Sequence, residues 1–438
     1  MKVKKDILWA MATAIMVTML FTLGSADADQ ASPEEEVALF NSPWTSNDTP
    51  ISIAGQKSSV PSLALGTDGV LHTAFKQGST ISSTANEPYY SMSSDGGNNW
   101  STPQIIRDDP FSFVVDKVDI AVATNGVVHA VWVEKNNSTE NFTLYYASKS
   151  GDNWGPAETI EVVQSPSVLD QPSLAVNSGR VYVVWANTSR IRFAARSGGT
   201  WSTPAEIGRS ELPEITIDAS GNLHVVFLES RDTLVARYIQ SLDNGVTWSN
   251  DVGLSAGNKD VKDIDLAVQG STVHVVFGAS EVIGGAIDPI SSTPTIAPYY
   301  TSCSANCDSS ANWPREVTAT SVQAGNAPAD AILLVPSISI TEQNEAMIFY
   351  HGVLQENVNF EQVLGMCYQP DQNVAKNYKL PTSFTERMVK PQIVYADGVM
   401  HMVYERVKGQ SVSTNFQEVH YAQLDVSCYN SHMPVISH

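Results

Sequence analysis

One pattern recurs seven times along the chain: a short apolar strand, a Gly/Asn/Asp turn, then a second strand ending in an aromatic. The copies begin at Pro61, Asp119, Pro172, Pro213, Asp263, Pro336 and Pro391. They close on Phe75, Trp132, Trp185, Phe227, Phe277, Tyr350 and Tyr404. Self-similarity at roughly 40–70 residues belongs to solenoids, propellers and arrays, whose units bury their faces only against neighbours. A third strand follows each copy, as at Tyr89-Tyr90-Ser91-Met92, and then a turn closing on Trp and a fourth strand. Alternating β-branched and aromatic residues, with little helical periodicity, predict an all-β chain. Four strands repeated seven times predict a seven-bladed β-propeller of four-stranded blades.

The seventh copy offers a third strand at residues 419–424 but no good fourth one. Near the other end, Ser42-Pro43-Trp44 to Ser52-Ile53 reads as the missing Trp and outer strand. The N-terminal strand is therefore expected to complete the last blade and close the ring, leaving no open sheet edge.

Ahead of the repeats stand Lys2, Lys4 and Lys5, an apolar run from Ile7 to Leu23, and a small-residue exit at Ala26-Asp27-Ala28. This is the layout of a secretory signal peptide, and nothing downstream is long and apolar enough to span a bilayer. The expected organisation is a signal peptide at 1–28, a leader at 29–41, the propeller at 42–430 and a tail at 431–438. The expected location is secreted, extracellular or periplasmic, and a monomer is expected. A formal net charge of -21 argues against nucleic acid or an anionic membrane as partner.

Four cysteines in an exported chain read as disulfides. Cys303 and Cys307 lie in a hairpin turn and suit a local bridge, which leaves Cys367 and Cys428 as a pair between the last two repeats. A zinc site would need a second short pair, and the chain has only one. Neither a metal nor a cofactor is expected.

Two turns share the pattern S-x-D-x-G-x-x-W: Ser93, Asp95, Gly97 and Trp100, then Ser241, Asp243, Gly245 and Trp248. An Asp side chain can accept bonds from the turn's own amides, Gly takes the positive φ, and Trp pins the hairpin into the blade. Here the chain resembles the Asp-box, or bacterial neuraminidase repeat, propellers of the sialidase-like superfamily. The resemblance implies that these turns are scaffold on the face away from the ligand. Sialidases of that family use an arginine triad, a Tyr/Glu pair and an Asp acid. Their first arginine precedes the first blade, where this chain offers only Lys57; its first arginine is Arg107.

Residues that recur at equivalent positions are scaffold, and those that differ between blades are candidates. His72, His129, His224, His274 and His401 share one position, replaced by Tyr182 and Met347 in the other two copies. They are expected to pack or hydrogen-bond between blades. The variable positions just past the second strands give the candidate ligand-binding residues Glu134, Glu229, Arg231, Asp232, His351, Glu405 and Arg406, with Arg190 and Arg192 on one third strand. Arginine presents a planar fork suited to carboxylates and sulfates. The expected function is recognition of an extracellular glycan, acidic glycans included. Two alternatives stand beside it: a carbohydrate-active enzyme, either a polysaccharide lyase or a sialidase-like glycosidase, and a protein–protein interaction scaffold. No catalytic residue is assigned from sequence.

Overall fold

The structure, a computed structural model, describes residues 44–79, 86–107, 113–231, 233–257, 259–283, 286–287, 296–314, 317–318, 335–353, 361–369, 374–379, 386–408 and 416–425. The chain divides into two compact units, Met1–Ser42 and Pro43–His438. The expected signal peptide, leader and C-terminal tail, together with Asp232 and Cys428, lie outside the described residues.

The larger unit is all-β, with seven antiparallel sheets, each built on a four-strand path. Their inner strands are Ser58–Leu65, Phe113–Val122, Leu169–Asn177, Glu211–Ile217, Lys259–Gln269, Pro336–Ile340 and Glu386–Ala396. We number the blades 1 to 7 in that order. Each inner strand contacts those of the two adjacent blades, the first touching the last, so the seven sheets form a closed ring. Blade 7 takes its outer strand, Trp44–Pro50, from the N-terminal side, paired antiparallel with Phe416–Asp425. Asp48 on that strand fastens the closure: it accepts bonds from Tyr404 Oη at 2.7 Å and His420 Nδ1 at 2.6 Å, and pairs with Arg406.

The core lies between blades and repeats with them. The recurrent histidines are buried, and each Nδ1 hydrogen-bonds a third-strand tyrosine of its own blade: His72 to Tyr90, His129 to Tyr146, His224 to Tyr238 and His274 to Tyr300 at 2.7 Å, and His401 to Tyr421 at 2.6 Å. The bond expected between blades is thus made within one. Burial holds His72, His129 and His274 down to about 4, so these rings are neutral at pH 7. It is the tyrosine that crosses to the neighbour. Trp154 of blade 2 packs on Tyr90, Trp201 on Tyr146, Trp313 on Tyr238, and Trp100 of blade 1 on Tyr421 of blade 7, with centroids 4.9–5.4 Å apart. Where the histidine is replaced, so is the tyrosine. Blade 3 has Tyr182 with Phe193. In blade 6 Met347 goes with Gly365, and the Phe349 ring fills the space a Cβ would need.

The two S-x-D-x-G-x-x-W turns are closed by matching bonds. Ser93 Oγ donates to Asp95 Oδ1 at 2.8 Å and accepts the Gly97 N–H at 2.9 Å, while Asp95 Oδ1 accepts the Asn99 N–H at 2.9 Å. Ser241, Asp243, Gly245 and Thr247 repeat the set at 2.8 Å. Cys303 and Cys307 form a disulfide in the equivalent turn of blade 5. Cys367 is also disulfide-bonded.

A charged axial cavity as the candidate functional site

The site begins with an irregularity that six of the seven inner strands share. Against its second strand, each shifts register near its start: between Ser59 and Ser62, Val115 and Val118, Asp170 and Ser173, Glu211 and Glu214, Val261 and Asp263, and Val389 and Gln392. Such bulges bend a strand and re-aim its side chains. Four equivalent residues take the left-handed conformation, with φ of 54° at Val60, 50° at Gln171, 53° at Leu212 and 52° at Lys390. A left-handed backbone is costly for residues with a Cβ, above all a β-branched one, and persists only where the surroundings enforce it. These bulges sit at the ends of the strands opposite the S-x-D turns, since Ser59 pairs with the end of the second strand and Ser93 with its start.

Two residues beyond each bulge comes a belt of polar side chains that joins the blades. Asp119 Oδ2 accepts the Leu174 N–H of blade 3 at 2.9 Å, and Ser173 Oγ accepts the Ile215 N–H of blade 4 at 3.2 Å. Asp265 Oδ2 accepts the Ile338 N–H of blade 6 at 3.0 Å, and Ser337 Oγ the Ile393 N–H of blade 7 at 3.3 Å. In these four bonds the acceptor comes from one blade and the donor N–H from the residue after its equivalent in the next. Asp119 and Asp265 therefore hold the ring together whatever else they do.

Bulge and belt enclose a cavity of about 390 Å³ lined from all seven blades, among them by Val60, Lys117, Gln171, Leu212, Asp263, Val335 and Lys390. Its volume falls within the roughly 300–1,000 Å³ of small-molecule sites. Its walls are charged. Lys117 Nζ pairs with Glu214 Oε1 at 2.5 Å, Lys262 Nζ with Asp260 Oδ2 at 2.5 Å, and Lys390 Nζ with Glu405 Oε1 at 3.1 Å. Burial lowers the Lys117 ammonium, but Glu214 and Asp119 beside it outweigh that and hold it above the usual lysine value. Burial pushes Asp263 up to about 7 and Asp265 up to about 8, with Glu214 adding to both. Asp170 is raised to about 8 by burial and by a hydrogen bond to the Asp116 carboxyl from the equivalent position of blade 2. Asp170 so placed keeps its proton near neutral pH. No group of three or more His, Cys, Asp or Glu suited to a metal ion occurs among the described residues.

The sequence candidates fall mostly around this cavity rather than in it. Glu134 is buried, accepting from Trp132 Nε1 at 2.6 Å and pairing with Arg107. Arg190 pairs with Glu206 at the surface, and Arg192 Nη2 binds Glu161 at 3.3 Å and the Pro204 carbonyl at 3.1 Å. Glu229 is shared by Arg231 at 2.8 Å and Arg237 at 2.7 Å. Arg406 belongs to the Asp48 closure. His351 and Glu405 do approach the axis, at the same position of blades 6 and 7. Each accepts the bulge N–H of the following blade, His351 Nδ1 from Lys390 at 3.4 Å and Glu405 Oε1 from Val60 at 2.7 Å.

The residues missed in the sequence are Asp116, Lys117, Asp170, Glu214, Asp263 and Lys390. The available signal was a charged residue on an inner strand, within three positions of the repeat's start, in a stretch otherwise due for burial. The structure thus defines a closed seven-bladed propeller with one charged cavity on its axis.

No family model matches the chain, and no curated protein matches it. Solved structures similar in fold include a Dyadobacter fermentans protein of unknown function, with 12% identity, a TM-score of 0.50, and 87% of this chain and 98% of that one covered. A NanB sialidase from Streptococcus pneumoniae matches at 12% identity and a TM-score of 0.50 over 91% of this chain and 73% of its own. An α-L-arabinofuranosidase of Fusarium graminearum matches at 10% identity and 0.50, over 86% and 96%. The likeness is one of fold, and the chain has a sialidase-like propeller fold.

Proposed function

We propose that this is an exported glycan-recognising propeller of the Asp-box type, and that its carbohydrate ligand enters the axial cavity. The observation carrying this reading is the cavity's asymmetry. The seven equivalent positions, six of them at bulges, contribute Val, Lys, Gln, Leu, Asp, Val and Lys, a set that suits one ligand in one orientation. A repeat-symmetric lectin would present the same pocket between successive blades. The scaffold reading has less support, because the large exposed apolar residues among those described are few: Val162, Val168, Leu242 and Val246. The Cys303–Cys307 disulfide and the signal-like N-terminus favour an oxidising compartment.

Turnover of the glycan is the second reading. Burial holds Asp263 up at about 7 and Asp170 up at about 8, beside the Lys117–Glu214 pair. Carboxyls whose environments push them apart are the raw material of general acid–base catalysis.

The experiment is incubation of the purified protein with a panel of neutral and acidic polysaccharides, following absorbance near 235 nm and reducing ends, with glycan-array binding in parallel. New ends with absorbance signify a lyase, and new ends alone a hydrolase. Binding without ends signifies recognition. Asp263→Asn keeps the acceptor for the Ile264 N–H, which Asp263 Oδ1 takes at 2.8 Å, and is expected to weaken binding about tenfold. Unchanged binding in this variant removes the cavity from the reading, and silence on every probe removes the glycan.

A further inference from the structure

Three residues occupy one position at the ends of the second strands: Lys76 of blade 1, His351 of blade 6 and Glu405 of blade 7, each next to the closing aromatic. His351 and Glu405 spend their acceptors on the bulge N–H of the next blade. A lysine has no acceptor to offer. Lys76 instead lines the axial cavity, and no carboxylate lies within ion-pair distance of its amine among the described residues. Asp116 lines the same cavity, and its Oδ2 is buried with no hydrogen-bond partner among the described residues.

We propose that Lys76 is a nucleophilic amine that captures a small hydroxyaldehyde, such as the open-chain end of a sugar, as an imine, with the Asp116–Asp170 pair as its proton donor and acceptor. This goes beyond glycan recognition and stands without it.

The surroundings suit that chemistry. Burial first, and then the like charges of Lys390 and Lys57, hold the Lys76 amine below the usual lysine value, while Asp116 and Glu405 act against the shift. Desolvation beside other cations is a general way to keep a lysine amine partly neutral and reactive. The amine lone pair adds to the aldehyde carbon, and the C=O π pair passes to oxygen, which takes one of the two amine protons to give a carbinolamine. The nitrogen lone pair then expels the hydroxyl as water, using the proton that Asp170 holds against Asp116. The remaining N–H proton returns to that pair, so amine and aldehyde give imine and water.

The probe is glycolaldehyde with cyanoborohydride on the intact protein at pH 7, read by peptide mapping. A lowered basicity leaves more of the amine free at pH 7, so Lys76 is expected to be alkylated severalfold faster than Lys135. The midpoint of its rate against pH should fall below that of Lys135. Asp170→Asn, which retains an acceptor for the Gln171 N–H, is expected to slow labelling of Lys76 and leave Lys135 unchanged. Labelling of Lys76 at the rate of Lys135, or with the same pH midpoint, overturns the proposal. Equal labelling in Asp170→Asn overturns the acid pair's role. Neither result bears on whether the cavity binds a glycan.

Discussion

Asp119 reaches across a blade boundary to Leu174: its Oδ2 accepts the Leu174 N–H at 2.9 Å while its Oδ1 takes the Ser62 hydroxyl at 2.7 Å. One carboxylate thereby ties together blades 1, 2 and 3. Asp119→Ala leaves a hydroxyl and a backbone donor unpaired, each worth about 1–3 kcal/mol when buried. A drop in stability of that order is expected in chemical denaturation. Asp119→Asn keeps an acceptor for Leu174 and should cost less.

The raised carboxyls give stability a pH slope of known sign. Asp263 and Asp265 titrate at about 7 and about 8 in the fold, against about 3.9 in the unfolded chain. The unfolded state therefore holds fewer protons than the folded one between pH 4 and 8, and stability falls as pH rises through that window. Each such proton contributes at most about 1.4 kcal/mol per pH unit. Asp265→Asn preserves an acceptor for Ile338 and should flatten the slope. An unchanged slope would show that this carboxyl ionises in the folded ring.

Gly96 and Gly97 are adjacent, and both have positive φ, 69° and 89°. A Cβ on Gly96 would meet nothing within 4 Å, whereas one on Gly97 would stand 2.1 Å from the Tyr421 ring. Gly96→Ala should cost about 1 kcal/mol of backbone strain. Gly97→Ala adds overpacking of about 1–3 kcal/mol, and the difference should appear as a lower melting temperature.

The paired replacements in blades 3 and 6 yield a double-mutant test. Tyr90→Phe leaves His72 Nδ1 buried without its 2.7 Å partner and should cost about 1–3 kcal/mol. Adding His72→Tyr recreates the Tyr182–Phe193 combination of blade 3. Thermal denaturation should show the double variant losing less than the sum of the singles.

The repeat made the propeller, its blade count and its closing strand legible, because burial on both faces forces the same apolar alternation seven times. Two things escaped. The histidines' partners escaped because His72 and Tyr90 are joined by strand register, which a linear pattern does not display. The cavity escaped because its walls come from bulges. Val60, Gln171, Leu212 and Lys390 share a backbone conformation and no chemistry, so nothing in their side chains marks them as equivalent. Glu134, Glu229 and Arg192 stood out as charges near strand ends, yet each is spent on a neighbour within the sheets. Charge at a loop marks an interaction without saying whether its partner is internal.

The strand carrying Asp48 pairs with one carrying His420, 372 positions further on. On a ribosome, the first piece of the ring to appear has no sheet to join until almost the last piece has followed it. Six blades can assemble in order of synthesis, each against the one before. The seventh must wait, and a chain stopped short of Phe416–Asp425 leaves unpaired the rims of Trp44–Pro50 and Val399–Lys408 that this strand joins in the intact one. Completion of this molecule is therefore a single terminal event rather than a gradual one, and those two rims distinguish an unfinished copy from a finished one.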